Sequence, residues 1–468
     1  MSDPSTPLRS ALGNRQMTMI AIGGVIGADL FVGSGKAIGS AGPGVLIAYL
    51  GVGLIVILVM RMLAELAVAK PETGSFSSYA TRELGPWAGL SVGWLYAYQW
   101  CITVGFEAIA GAAIAHRVLP GIPSWLAAFV FMAVLIAVNL AQVANFGEFE
   151  FWFALVKVVA IVAFILLGLA ALFGLVPGFH SPGLSNFTAH GGFLPEGNTA
   201  VLLATLVVFF SFFGTEVVTI AAGEAVAPVE AVRRGMNSVV WRILVFYIGS
   251  IFIVLALLPW NDNKVTQSPY VAVLERLGIP GAAGVMDVVV LTAVLSCLNS
   301  GIYASSRMVF ALGRSGEAPR LFARTSRNGV PVAAVLLASS IGLITVVANY
   351  FIPTEAVFNF LLDSSGAVAV VTYLCITATH YRGRRRLDRE APGSLTLKMW
   401  AFPYLTLLVG AALIAIIAGM ALSASTRRSL LLTLLVTAIT VVAGVIRQRR
   451  TATASAPERT LPTSEGIK

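Results

Sequence analysis

Charge is scarce in this chain: Asp, Glu, Lys and Arg make up 11% of its 468 residues. A soluble globular protein carries about 25%, whereas 57% of this sequence is hydrophobic and its mean hydropathy is +0.86. That shortage excludes a water-soluble domain and places the chain in a bilayer. Cysteine is nearly absent too. Cys101, Cys297 and Cys375 fall in or near separate apolar segments with no paired spacing. They read as small apolar residues, which excludes a disulfide framework and a thiolate metal site. The four histidines, His116, His180, His190 and His380, read as loop or helix-end residues and make no ligand cluster. There is no Walker A loop and no nucleophile elbow. ATP-driven pumping by this chain alone, and hydrolysis, therefore lack a motif, and no enzyme constellation or cofactor is expected.

What the chain has in abundance is apolar segments of about 20 residues, each long enough to cross a hydrocarbon core of roughly 30 Å. They predict an all-α integral membrane protein of about twelve spanning helices. The spans lie near 17–40, 44–68, 87–115, 123–143, 150–174, 199–224, 238–258, 281–311, 331–350, 356–380, 400–421 and 429–446. The N-terminal flank, SDPSTPLRSALGNRQ, reads as a short polar tail and not as a signal peptide. A net charge of +9 raises the question of nucleic acid, and its distribution answers it. With the N-terminus in the cytoplasm, about 23 of the Lys and Arg fall in cytoplasmic loops or tails and about five outside. The expectation is a multi-pass protein of the cell membrane, with membrane lipids and no nucleic acid as partners and both termini cytoplasmic.

The first span contains GGVIGADLFVGSG, five glycines and a carboxylate where lipid would favour an unbroken helix. Irregular backbone at membrane depth persists only where it is buried in protein or lines a watery cavity. An ionisable residue there marks a functional site. This span runs from Met17 to about Ile26, roughly 15 Å, before meeting Gly27-Ala28-Asp29 near the midplane. The sixth runs from Thr199 to Phe213, roughly 20 Å, before meeting Gly214-Thr215-Glu216. Helices 1 and 6 are thus expected to be discontinuous and to open two halves of five spans, the pattern of an inverted-repeat transporter. The organisation predicted is a tail at 1–16, repeats at 17–174 and 199–380, and a basic cytoplasmic loop at 381–399. Two C-terminal helices at 400–446 and a tail at 447–468 complete it. Half-helix N-termini suit a carboxylate, and half-helix C-termini with unwound carbonyls suit an ammonium. Gly23 and Gly27 are also spaced as GxxxG, which fits close helix packing equally well.

Other polar residues carry two readings each. Lys157 lies in EFEFWFALVKVVAIVAF, about nine residues or 13 Å beyond Glu148, too deep for easy snorkelling. Burial disfavours its charged form, so it either exchanges protons near neutrality or sits in a fixed ion pair. Glu107 and Glu216 are its candidate partners, as relay members or as permanently protonated helix contacts. Asn299 and Ser300, with Ser305 and Ser306, form a polar stripe that either faces the first break or serves helix-to-helix hydrogen bonds. Arg61 and Glu65, spaced i, i+4, and Glu224 read as gate or packing ion pairs.

The motifs MIAIGGVIGADLFVGSG, MRMLAELAVAKPETGSFSSYA, NFGEFEFWFALVKVVAI, FFSFFGTEVVTIAAGEA, NSVVWRILVFYIGSIFIVLALLPWN and SCLNSGIYASSRM resemble a known family. It is the amino acid transporter family of the amino acid–polyamine–organocation superfamily, and most closely its bacterial 4-aminobutyrate (GABA) permeases. The resemblance runs from about Gly13 to Arg382. It implies a leucine-transporter-like fold of five plus five inverted spans with two more, in a bacterial inner membrane. It also implies proton-coupled uptake of GABA or a similar small amino acid. By the family pattern, Ile26, Gly27, Ala28 and Asp29 with Gly33 hold the substrate carboxylate, while Phe213, Gly214, Thr215 and Glu216 receive its amino group. Glu107 and Asn299 complete the substrate-binding set; Lys157, Glu216 and Asp29 would couple protons. Asp29 departs from the pattern, which has a small residue there. An ionised Asp29 would repel a substrate carboxylate by several kcal/mol, so it is protonated, turned away, or set against an ammonium. Protonation is favoured, because burial disfavours a charged carboxyl. Other readings are the same machine carrying another neutral or basic amino acid or a polyamine, and a non-transporting sensor or channel.

Overall fold

The computed structural model describes residues 12–72, 74–141, 143–393 and 395–454. Of the tails expected at 1–16 and 447–468, residues 1–11 and 455–468 lie outside it. The helices of the first half are α1 (Asn14–Gly23), α2 (Ser34–Ala41), α3 (Val45–Ala69), α4 (Ser75–Leu84), α5 (Pro86–Val118), α6 (Ser124–Leu140) and α7 (Val143–Leu172). Next come α8 (Gly197–Phe212), α9 (Val217–Ala221), α10 (Pro228–Trp241), α11 (Ser250–Leu257), α12 (Asn263–Gln267) and α13 (Pro269–Arg276). The last are α14 (Ala282–Arg314), α15 (Val332–Phe351), α16 (Thr354–Glu390), α17 (Tyr404–Leu422) and α18 (Ala424–Ala454). Among the described residues, nine helical stretches are long and apolar enough to cross a membrane.

Local sequence sets many of the boundaries. Pro86, Pro228 and Pro269 occupy first helical positions, where the fixed φ of proline suits the helix and its missing N–H costs nothing. Large apolar side chains such as Leu166, Ile344 and Leu435 stay more than half exposed on the outside of the bundle, as a lipid-facing surface requires. Inside, α5 and α14 approach closely because Gly301 is small: a Cβ there would lie 2.9 Å from Trp100 and from Val104.

Two helical paths are interrupted. α1 stops at Gly23, the chain unwinds over Gly24–Gly27, and a π-helical stretch, Asp29–Gly33, leads into α2. α8 stops at Phe212; Phe213 is extended, Gly214 has φ +104°, and α9 begins at Val217. The interruptions face each other, since a Cβ on Gly214 would lie 2.5 Å from the Gly24 carbonyl oxygen.

α16 continues as helix through residues 381–390, the first half of the stretch read as a loop. Arg384–Asp388 and Arg386–Glu390 pairs, each 2.8 Å, brace its last turns. Arg386 also reaches Glu83 at 2.7 Å. Arg384 donates to both oxygens of Glu65 at 3.0 Å, and His380, buried inside α16 and not at a helix end, lies 3.4 Å from the same carboxylate. Glu65 is therefore not paired with Arg61, whose Nε instead donates to the Lys398 carbonyl and whose guanidinium covers the Trp400 ring at 5.0 Å.

At the end of the bundle where α1 begins, Leu12 and the 224–226 segment exchange backbone hydrogen bonds of 3.1 Å. Arg15 pairs with Glu148 at 2.7 Å. Just inside, the fully buried Glu224 accepts from Arg307 Nε at 2.9 Å and from the Tyr303 hydroxyl at 2.8 Å. Tyr303 stacks flat on Phe146, ring centroids 4.1 Å apart. Replacing Glu224 by alanine would leave Arg307 buried without its counter-charge. A loss of about 3–5 kcal/mol is expected, measured as a lower Tm in detergent; an unchanged Tm would show that the pair contributes nothing.

Candidate functional site

The first interruption is held by donors from other helices. Unwinding at Gly24–Gly27 frees carbonyls that a continuous helix would use itself. Lys157, fully buried on α7, donates from Nζ to the carbonyls of Gly23 at 2.5 Å and Ile26 at 2.9 Å. The Tyr247 hydroxyl, from the π-helical stretch Arg242–Gly249, lies 2.9 Å from the Val25 carbonyl and 2.7 Å from that of Ser211. One side chain thus ties the two interruptions together.

The amide groups beyond the break are also occupied. Gly27 N–H donates to Asp29 Oδ1 at 3.0 Å, and Ala28 N–H to Glu107 Oε1 and Oε2 at 3.2 and 3.1 Å. Both acids are buried. A helix N-terminus attracts anions, and here two of the protein's own carboxylates fill that role. Asp29 Oδ2 has no hydrogen-bond partner. The fit is close: a Cβ on Gly27 would lie 2.3 Å from Glu107 Oε1 and 2.8 Å from Cys297 Cβ.

The second interruption repeats the arrangement. Gly214 N–H donates to Glu216 at 3.1 and 3.2 Å, and the Tyr373 hydroxyl of α16 reaches Glu216 Oε2 at 3.3 Å. Thr215 Oγ1 lies 3.4 Å from that oxygen. Phe213 packs between Tyr96 and Trp100 of α5, with centroids at 5.3 and 5.5 Å. The Tyr96 hydroxyl and Trp100 Nε1 are buried there without partners.

The sequence model of the amino acid permease family matches residues 16–454. The chain belongs to that family. Among its relatives, the gamma-aminobutyric acid permease of Bacillus subtilis is 49% identical over 450 residues, covering 96% of each chain. A probable GABA permease of Pseudomonas aeruginosa is 49% identical over 95% of this chain and 93% of its own. The gamma-aminobutyric acid permease of Escherichia coli is 49% identical over 87% of this chain and 88% of its own. The permease is accordingly a multi-pass membrane protein, and these relatives are transporters and not enzymes.

The permease brings together Ile26, Gly27, Ala28, Asp29, Glu107 and Lys157 at the first interruption, and Phe213, Gly214, Thr215 and Glu216 at the second. Gly33 closes the π-helical stretch, and a Cβ there would meet only the preceding turn, Ala28 O at 3.9 Å and Asp29 Cβ at 4.0 Å. Asn299 points elsewhere: its Oδ1 accepts from Asn139 of α6 at 2.8 Å, and Ser300 is the residue of that stripe beside Gly24. Gly23 and Gly27 do serve as close-contact glycines. A Cβ on Gly23 would lie 2.0 Å from Glu150 Oε1 and 3.2 Å from Ala154 Cβ of α7. Sequence reasoning missed Tyr247, Tyr373, Tyr96, Trp100, Asn139 and Glu150. Only Glu150 left a signal, its spacing of seven residues from Lys157, which puts both on one face of α7.

Proposed function

We propose that the permease is a secondary active importer of GABA or a similar small amino acid, coupled to protons and working by alternating access. The observation that carries this reading is the Lys157 ammonium, buried and bonded to two carbonyls of the unwound segment. A cation in that position holds the interruption in one arrangement, and its loss as a neutral amine releases it, so proton binding biases helix packing. The names of the three relatives support GABA as the first substrate to test.

In this reading the two interrupted paths are spans one and six of twelve. They head inverted repeats at 17–174 and 199–380, with two further spans at 400–446 and both termini in the cytoplasm of a bacterial cell. The substrate carboxylate displaces Asp29 from the Gly27 N–H, and the amino group meets Phe213, Gly214, Thr215 and Glu216. Proteoliposomes loaded at alkaline pH and diluted into acidic buffer with labelled GABA test the proposal. Accumulation that collapses with a protonophore supports it, and uptake indifferent to the pH gradient overturns it.

A second substrate class is favoured by one observation, the unpartnered Asp29 Oδ2, which suits the ammonium of a basic amino acid or polyamine. Competition by a panel of amino acids and diamines separates the two. Asp29→Gly is the matching variant. If Asp29 must become neutral before a carboxylate takes its place, the glycine form is expected to transport over a wider pH range; an identical pH profile would refute that role.

A further inference from the structure

Lys157 must lose its proton in each cycle, and its two hydrogen-bond acceptors are peptide carbonyls, which do not take one. Four buried acids lie in this part of the molecule. Glu107 spends both oxygens on Ala28 N–H, and Glu216 is held by Gly214 N–H, Thr215 and Tyr373. Asp29 also has an oxygen without a partner, Oδ2, but it lies beyond the break, with Oδ1 bonded to Gly27 N–H. Glu150 differs. It is fully buried on the face of α7 that carries Lys157, two turns nearer the exposed Arg15–Glu148 pair. Its Oε1 accepts from Ser296 at 2.5 Å, while its Oε2 has no partner.

Gly23 connects the two groups. Its carbonyl accepts from Lys157, and the space where its side chain would be is filled by the Glu150 carboxylate. Asn299 and Ser300 stand beside the carboxyl with Nδ2 and Oγ buried and unpartnered, and Asn139, which donates to Asn299 Oδ1 at 2.8 Å, leaves its own Oδ1 buried without a partner. Buried polar atoms are rarely left unpaired, and a cluster of donors and acceptors is what an internal water needs.

We propose that Glu150 is the acceptor through which the Lys157 proton leaves toward the Arg15–Glu148 end, across water held by Asn139, Asn299 and Ser300. The ammonium becomes a neutral amine and the Glu150 carboxylate becomes the acid. The acid then gives the proton to water at that end, and no other bond changes. This rests on the proton-coupled reading and adds to it a direction of release. Among the described residues, the other titratable groups near Lys157 are Cys297 from α14, Glu107 from α5 and Asp29 beyond the break, and α1, which packs along α7, brings Arg15 at its exposed end. α6 contributes only Asn139, and α11 no titratable side chain.

Glu150→Gln tests it, because the amide keeps the size and can still accept from Ser296. The assay is proteoliposome uptake of the labelled amino acid that ranks first in the competition panel, read at several internal pH values. Glu150→Gln is expected to slow proton-driven net uptake by about tenfold or more and to flatten its dependence on internal pH. Counterflow, which needs no proton release, stays near wild type, and Glu150→Asp regains a dependence on internal pH, with its midpoint displaced from that of the wild type. Wild-type net uptake with wild-type internal-pH dependence in Glu150→Gln overturns the proposal. Counterflow falling in step with net uptake, without rescue by aspartate, also overturns it and leaves Glu150 a packing residue. If Glu150→Gln does not fold, the aspartate variant decides: a shifted internal-pH profile supports the relay and an unshifted one refutes it. Wild-type protein that ignores the pH gradient would instead remove proton coupling itself, and the relay with it.

Discussion

Lys157→Ala is expected to abolish accumulation against a gradient while leaving exchange measurable. The ammonium gives two charge-assisted hydrogen bonds to Gly23 and Ile26, each contributing about 1.5–3 kcal/mol. Alanine removes those bonds and the proton together, so the unwound segment no longer responds to proton binding. A pH gradient of about one unit supplies about 1.4 kcal/mol, or about tenfold accumulation for one proton per substrate. That ratio should fall to equilibration. Lys157→Arg separates bonding from titration, because a guanidinium keeps donors and does not release its proton. It too should lose accumulation. Proteoliposomes accumulating substrate at the wild-type ratio with either variant would end the case for Lys157 as the coupling group.

Gly214→Ala is expected to have the second largest effect. The residue stands at φ +104°, and its missing side chain is the space that admits the Gly24 carbonyl. Forcing alanine into that conformation costs about 1–3 kcal/mol before any clash, and the contact to be relieved is with backbone, which cannot rotate away. Phe213 and Glu216 would shift with it. Both Tm in detergent and counterflow should drop. Gly51→Ala is the control, since nothing lies within 4 Å of a Cβ there. A Gly214→Ala protein with unaltered Tm and counterflow would mean that the two interruptions need not touch.

Much of this was legible in the residues, and the limits are physical. Glycine and ionisable side chains inside apolar stretches betray Asp29, Glu107, Lys157, Gly214 and Glu216, because lipid gives no reason to keep them. The residue at which α1 unwinds was less legible. Gly27-Ala28-Asp29 was the expected centre, whereas the chain leaves the helix at Gly24, where Lys157 and Tyr247 supply donors from 134 and 222 residues away. A tyrosine in an apolar helix looks like any other, so Tyr247 and Tyr373 show their targets only after folding. Glu150 was overlooked for a simpler reason. A span read from residue 150 puts it at the very edge of the apolar stretch, whereas α7 begins at Val143 and Glu150 lies two turns inside. Arg61 and Glu65 illustrate the opposite error, in which a favourable local spacing yields to better tertiary partners.

The acceptors of the Lys157 ammonium are main-chain oxygens, identical whichever amino acids stand at positions 23 and 26. Evolution can alter the donor or the cage around it, but no codon change deletes the acceptors. Only chemistry that swaps the 23–24 or 26–27 amide for an ester would weaken them one at a time, leaving every side chain as it is.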